Sequence, residues 1–79
     1  MYFVYILESL SSGRKYVGFT QNLDARLLEH NRGNVTSTKP FRPWKRIYSE
    51  EQPTQIEARM REKYLKSAAG RRWRKKMGM

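Results

Sequence analysis

The sequence predicts an α+β fold with its elements in the order ββαβαα. Three observations lead there. Two β-type runs, residues 2–8 and 14–19, stand together at the start, joined by a Gly-bearing turn. Helical apolar spacing follows over residues 23–31 and again from Ile56. A third β-type run, Trp44 to Ser49, lies between the two helical stretches. Strands that come in a run with helices flanking them argue against a parallel βαβ fold.

Residues 2–8 are β-branched and aromatic. Phe3, Tyr5 and Leu7 fall on one face and Tyr2, Val4 and Ile6 on the other, so this strand reads as covered on both faces. Ser9-Leu10-Ser11-Ser12-Gly13 is a turn cluster, and the run after it completes an antiparallel hairpin. Asn22 is expected to cap a helix over Leu23 to Asn31. Leu23, Leu27 and Leu28 have helical spacing, Asp24 suits the positive end of the helix dipole, and Gly33 suits the position just past its end. Residues 34–43, with Pro40 and Pro43, read as a polar loop. Pro53 is expected in the first turn of the next helix, with Gln52 or Glu51 near its cap. Ile56, Met60 and Tyr64 form its apolar stripe, with Ala58 and Leu65 beside it. Ser67 to Gly70 reads as an interruption, and Arg71 to Met77 as a final short basic helix or tail. No repeat or long linker divides the chain, so residues 1–79 are expected to form one domain, with the basic helix or tail at about 68–79.

A chain of 79 residues buries only a modest core. It has no cysteine, hence no disulfide framework and no thiolate metal site. No stretch approaches the roughly 20 apolar residues of a membrane span. The start lacks the basic region and cleavage site of a secretory signal, so a cytoplasmic location is the expectation. Seventeen Lys and Arg against seven Asp and Glu give a net charge of +10. Such a balance in one small domain is the footprint of a nucleic-acid binder. A ribosome-associated protein or a merely basic, solvated surface would show the same charge. An acidic membrane is the weaker partner, since no strongly amphipathic basic helix begins the chain.

Several chemistries are excluded. One histidine and no cysteine rule out the usual zinc sites. There is no P-loop and no dinucleotide-binding glycine pattern, and no serine stands in a nucleophile-elbow context. Tyrosines, arginines, one histidine and a few acids are left, and these can build a phosphodiester site. Such a site needs a proton acceptor for water and positive charge on the phosphate, some of which a metal held by a carboxylate can supply. The planar fork of arginine suits the phosphate.

The order of these residues is specific. Phe3-Val4-Tyr5, a hairpin, Tyr16-Val17-Gly18, and then Asn22-Leu23-x-x-Arg26-Leu27-x-x-His30 resemble the GIY-YIG nucleases. Arg42-Pro43-Trp44-Lys45 leading to Tyr48-x-Glu50, and Glu57-Ala58-x-x-x-Glu62-x-x-Leu65-Lys66, look like the later blocks of that family. The resemblance covers residues 2–66 and looks nearest to small stand-alone members related to the nuclease domain of the bacterial repair excinuclease. It implies a three-stranded antiparallel sheet with helices around it and a single-metal DNA endonuclease site.

The resemblance also implies roles. Tyr5 would contact the attacking water as proton acceptor or relay, and Tyr16 would position water or phosphate. Gly18 would let the backbone turn close to the site. Arg26 would hold the scissile phosphate. His30, one turn later on the same face, would accept or return a proton near neutral pH. Glu62 would hold one Mg²⁺ or Mn²⁺, with Glu57 as competitor, and the Glu62–Lys66 spacing also suits a surface ion pair. Two positions depart from the pattern. Phe19 stands where the repair nuclease has a lysine, whose charge Lys15 or Lys39 would replace. The family asparagine near the domain end has no match. Lys15, Lys39, Arg42, Arg71, Arg72, Arg74 and Lys75 are expected to contact nucleic acid, and Trp73 either stacks on a base or packs back to pin the last helix. The alternatives to a nuclease are a non-catalytic nucleic-acid-binding module of the same fold and an RNA-binding accessory protein. No sequence-reading motif is present, so selectivity would come from DNA shape or from a protein partner that targets the chain.

Overall fold

A computed structural model describes residues 1–79. The elements are β1 (Tyr2–Ser9), β2 (Lys15–Thr20), α1 (Leu23–Arg32), a 3₁₀ turn (Lys39–Phe41), β3 (Trp44–Gln52), α2 (Gln55–Lys66) and α3 (Ala68–Lys76). The predicted order holds, and the sheet is antiparallel throughout, in the order β2-β1-β3. β1 is the central strand, which explains its unbroken apolar run: Val4, Tyr5, Ile6 and Leu7 are all buried.

The two sheet faces carry separate cores. Tyr5, Leu7 and Trp44 pack with Tyr16, Leu23, Leu27 and Phe41 under α1. Val4, Ile6 and Val17 pack with Ala58 and Leu65 on the other face, under α2 and α3. Between Ile6 and Leu7 the β3 register slips by one residue. Ile47 and Tyr48 consequently both turn toward the second core, as a β-bulge allows.

Local chemistry sets the helix ends. Asn22 caps α1, its side-chain oxygen accepting from the Ala25 N–H at 3.1 Å, and Gly33 ends the helix at φ 84°. The cap of α2 is Thr54, whose hydroxyl oxygen accepts from the Glu57 N–H at 3.2 Å. Gln52 and Glu51, expected near that cap, are instead held in β3 by pairing with Tyr2 and Phe3, and Pro53 precedes the cap. The loop over 34–43 is ordered around the 3₁₀ turn. Its exit is locked by Asn31, which donates to the Trp44 carbonyl at 3.0 Å and accepts from the Trp44 N–H at 2.7 Å.

The α2 stripe is a correction. Ile56, Met60 and Tyr64 are exposed, and the buried positions are Ala58 and Leu65. The inner face also carries Arg61, whose Nε donates to both Glu50 carboxylate oxygens at 3.0 Å. A buried face that includes a charged residue escapes a count of apolar periodicity. The interruption expected over Ser67 to Gly70 is confined to Ser67, which is extended, while Ala68 to Gly70 already belong to α3. Ser67 both closes α2 and caps α3, and a Cβ on Gly70 would collide with the Tyr64 carbonyl and the Leu65 backbone. The glycine thus lets α3 fold closely back on α2. Trp73 packs inward, its ring 5.7 Å from Tyr48 and with the Arg61 guanidinium 5.0 Å over it.

The two stripes of α2 make opposite predictions. Leu65→Ala should cost about 2–5 kcal/mol of stability, whereas Ile56→Ala and Met60→Ala should each stay within about 0.5 kcal/mol. Urea unfolding of the three variants measures this, and equal losses would contradict the placement of α2.

Candidate active site

Strand register brings Tyr5, Gly18 and Tyr16 together. Tyr5 pairs with Gly18, and Leu7 with Tyr16, across the β1–β2 hairpin; residues two apart share a face. A Cβ on Gly18 would lie 2.5 Å from the Tyr5 hydroxyl oxygen and 3.1 Å from Tyr16 Cε2. The close approach expected at Gly18 for want of a Cβ is made by a side chain: the glycine is the floor on which the Tyr5 phenol rests.

α1 delivers Arg26 and His30 to the same face. His30 is fully buried. Its Nε2 is hydrogen-bonded with Tyr5 Oη at 3.0 Å and its Nδ1 with Thr38 Oγ1 at 2.8 Å. Its ring stands edge-on to Tyr16, with centroids 4.9 Å apart. Burial, and then the Arg26 charge, bring the His30 pKa down to about 4. The imidazole is therefore neutral at pH 7 and does not titrate near neutrality as the sequence suggests. Burial pushes the Tyr5 hydroxyl up to about 12, against the pull of Arg26. Arg26 is half-buried, with Nη1 3.3 Å from Glu29 Oε2, and the Tyr5 hydroxyl beside it raises its pKa further.

Glu62 arrives from the other side. The body of α2 covers the second core, but its Glu62–Lys66 edge reaches toward Tyr16 on the outer strand β2. Lys66 Nζ lies 5.9 Å from the Tyr16 ring and 3.6 Å from Glu62 Oε1, so the expected surface ion pair does form. Besides burial, the negative charge of Glu62 contributes to the raised Tyr5 pKa. Glu57 is placed differently. It lies exposed in the first turn of α2, its carboxylate accepting from the Thr54 hydroxyl at 3.3 Å, and so completes a helix cap.

The expected phosphate contacts scatter. Phe19 pairs with Val4 and packs on the second core, on the face away from Tyr5 and Tyr16, so a lysine there would not point at the phenols. Lys15 shares that orientation and is bound to Glu8 at 2.9 Å. Lys39 is exposed on the 3₁₀ turn. Arg42 donates from Nε to the Lys39 carbonyl at 2.9 Å and lies over Gly33. Arg71, Arg72 and Lys75 are exposed on α3. Arg74 turns inward, its Nε buried without an acceptor, and burial followed by the Arg71 charge lowers its pKa.

Sequence reasoning missed three side chains, Arg59, Lys63 and Thr38. Arg59, Lys63 and Lys66 line a cavity of about 410 Å³ together with Glu62, and neither Arg59 nor Lys63 forms an ion pair. Their i, i+4, i+7 spacing around Glu62 was legible as one side of a helix. Thr38 carried no signal, since it stands among other hydroxyl residues in a polar loop.

The donor set bears on a metal. No three acidic, histidine or cysteine side chains cluster, so no all-protein cage exists. The Glu62 carboxylate, 21% exposed and opposed only by Lys66 at 3.6 Å, stands at an open cavity. One such carboxylate fits a hard divalent cation that keeps its waters and shares phosphate oxygens.

The buried His30 makes a pH prediction. Unfolded, it takes a proton near its ordinary value of about 6.5; folded, it resists until about 4. Within that window the unfolded state binds more protons, so stability falls as pH drops, by no more than about 3 kcal/mol. Urea midpoints should fall from pH 6.5 toward 4, and His30→Gln should remove that component. Equal pH dependence in both proteins would contradict a buried neutral imidazole.

Comparison with known proteins agrees with this geometry. The family model described as the GIY-YIG catalytic domain matches residues 1–76. UPF0213 proteins from Staphylococcus aureus strains Mu3, Mu50 and N315 are each 39% identical over 67 residues, covering 84% of this chain and 80% of theirs. No solved structure matches, and no helix is long and apolar enough to cross a membrane. With a family match over nearly its whole length and the tyrosines of the ordered triplets on one sheet face, the chain belongs to the GIY-YIG nuclease family.

Proposed function

We propose that the protein is a metal-dependent DNA endonuclease that hydrolyses phosphodiester bonds. The observation that carries this reading is the contact at 3.0 Å between the Tyr5 hydroxyl and a buried, neutral His30, with Arg26 beside it. A phenol with a base at its back can accept a proton from water as its own proton passes on. Arg26 would hold the non-bridging phosphate oxygens and offset the charge that grows on them. Tyr16, edge-on to His30, would position the water or the phosphate. Glu62 would hold one hydrated Mg²⁺ or Mn²⁺, adding positive charge at the phosphate and steadying the leaving oxygen.

The surrounding cations suit a DNA backbone. Arg59, Lys63 and Lys66 would carry phosphates past Glu62, and Arg71, Arg72 and Lys75 would add sequence-independent attraction. All of these recognise phosphate rather than base edges. Branched or flapped DNA, of the kind met in repair, is therefore the substrate we expect, with a partner protein supplying any further targeting.

Pure protein incubated with branched, flapped and plain DNA should cut in Mg²⁺ or Mn²⁺ and not in EDTA. Arg26→Ala and Glu62→Ala should each lose at least about 100-fold in rate. Cleavage that survives both substitutions would sink the proposal. Tight, salt-sensitive binding without cleavage on any substrate would identify a binding module instead. Arg59→Glu with Lys63→Glu should weaken binding to every sequence alike and flatten the salt dependence by about two counterions.

A further inference from the structure

We infer that Thr38 fixes the tautomer of His30, placing its proton on Nδ1 and making the Tyr5 hydroxyl the donor to Nε2. The inference about the tautomer stands on the hydrogen bonds alone; its consequence for catalysis rests on the nuclease reading.

A neutral imidazole has one donor and one acceptor nitrogen, and a hydroxyl has one proton. Tyr5 Oη, His30 and Thr38 Oγ1 form a continuous buried chain, with links of 3.0 and 2.8 Å. The chain can run in two directions. In one, the Tyr5 hydroxyl donates to Nε2, Nδ1–H donates to Thr38 Oγ1, and the Thr38 hydroxyl donates to the Val35 carbonyl at 3.3 Å. Every proton then has an acceptor. In the other, the Thr38 hydroxyl donates to Nδ1 and Nε2–H donates to Tyr5. The Tyr5 proton is then left without a protein acceptor, because His30 Nε2 is the one hydrogen-bond partner of Tyr5 Oη and the neighbouring Arg26 has only donors. Tyr5 is 2% exposed, so in this direction its proton would depend on a water that reaches Oη, whereas the first direction gives every proton a protein acceptor. The first direction wins.

Thr38 is held firmly enough to enforce it. The residue is 1% exposed, its carbonyl accepts from the Trp44 indole N–H at 2.9 Å, and its N–H donates to the Val35 carbonyl at 3.1 Å. The chain of donors therefore points from the sheet surface inward.

That direction matters for hydrolysis. A water O–H bond breaks and its proton goes to Tyr5 Oη, while the Tyr5 proton passes to His30 Nε2. The water oxygen bonds to phosphorus as the bond to the leaving oxygen breaks; the leaving oxygen takes a proton from solvent, and His30 later returns its own to solvent. The imidazolium formed in between keeps Nδ1–H on Thr38. With the opposite tautomer Nε2 would already carry a proton, and Tyr5 would have nothing to pass its proton to. Thr38 is thus a positioning residue.

The chain has a single histidine, so its ring nitrogens give unambiguous long-range ¹H–¹⁵N correlations. At pH 7 the protein should show Nδ1 protonated and Nε2 bare. Thr38→Val, which keeps the shape and removes the acceptor, should shift the ring toward the other tautomer, and Thr38→Ser should restore it. In the cleavage assay Thr38→Val should lose about 10- to 100-fold, as residues that orient a working histidine do, with Thr38→Ser near the parent rate. A protonated Nε2 in the parent protein overturns the inference, and so does an unchanged ring in folded Thr38→Val. Should Thr38→Val fail to fold, the parent spectrum and Thr38→Ser decide. The expected tautomers without cleavage in any variant would uphold the inference and defeat the nuclease reading alone.

Discussion

The hydrogen-bonded chain from Tyr5 through His30 to Thr38 organises this small structure. It joins the central strand to α1 and α1 to the loop before β3, three segments far apart in sequence. Burying a phenol, an imidazole and a hydroxyl is tolerable only when each finds partners. The surroundings are arranged to provide them. Gly18 leaves room for the phenol, Trp44 pins Thr38, and Ser9 ties the loop to β1 by donating to the Phe41 carbonyl at 2.6 Å. The buried polar residues are Ser9, His30 and Thr38, and all three serve this one junction.

The central strand lets so short a chain separate two tasks. One face of β1 holds the polar chain beneath α1. The other carries the aliphatic core beneath α2 and α3, reinforced where Glu50 collects hydrogen bonds from Tyr48, Gln52 and Arg61. The two faces meet at β2, the outer strand, where Tyr16 and the Glu62–Lys66 edge of α2 come within reach. Side chains gathered at an edge stay open to solvent while Tyr5 and His30 stay buried.

Much of this was legible in the sequence. The strands, the Asn22 cap and the Gly33 stop follow from local chemistry that neighbouring residues enforce. Tyr5, Tyr16, Arg26, His30 and Glu62 stand out as candidates because their order along the chain resembles that of the family. The errors fell where a long-range contact outweighed a local preference. Pairing with β1 drew Glu51 and Gln52 into β3 instead of a helix cap. The ion pair of Arg61 with Glu50 turned α2 so that Ile56 and Met60 face outward. The expected break shrinks to Ser67 alone, because the Ser67 cap and close packing at Gly70 let α3 begin at once.

Family, element order and the identity of the chemistry-bearing side chains are written along the chain, because periodicity, caps and motif order are one-dimensional properties. The directions in which those side chains point, and the states they hold, come from the folded molecule. Phe19 faces away from the phenols because strand alternation puts it with Val17 on the far side of the sheet. His30 is neutral because burial and Arg26 together disfavour its charge, and its ring is oriented by a threonine that no local pattern distinguishes from its neighbours. Protonation and orientation depend on what surrounds a group in space, and those surroundings exist only once the chain has folded.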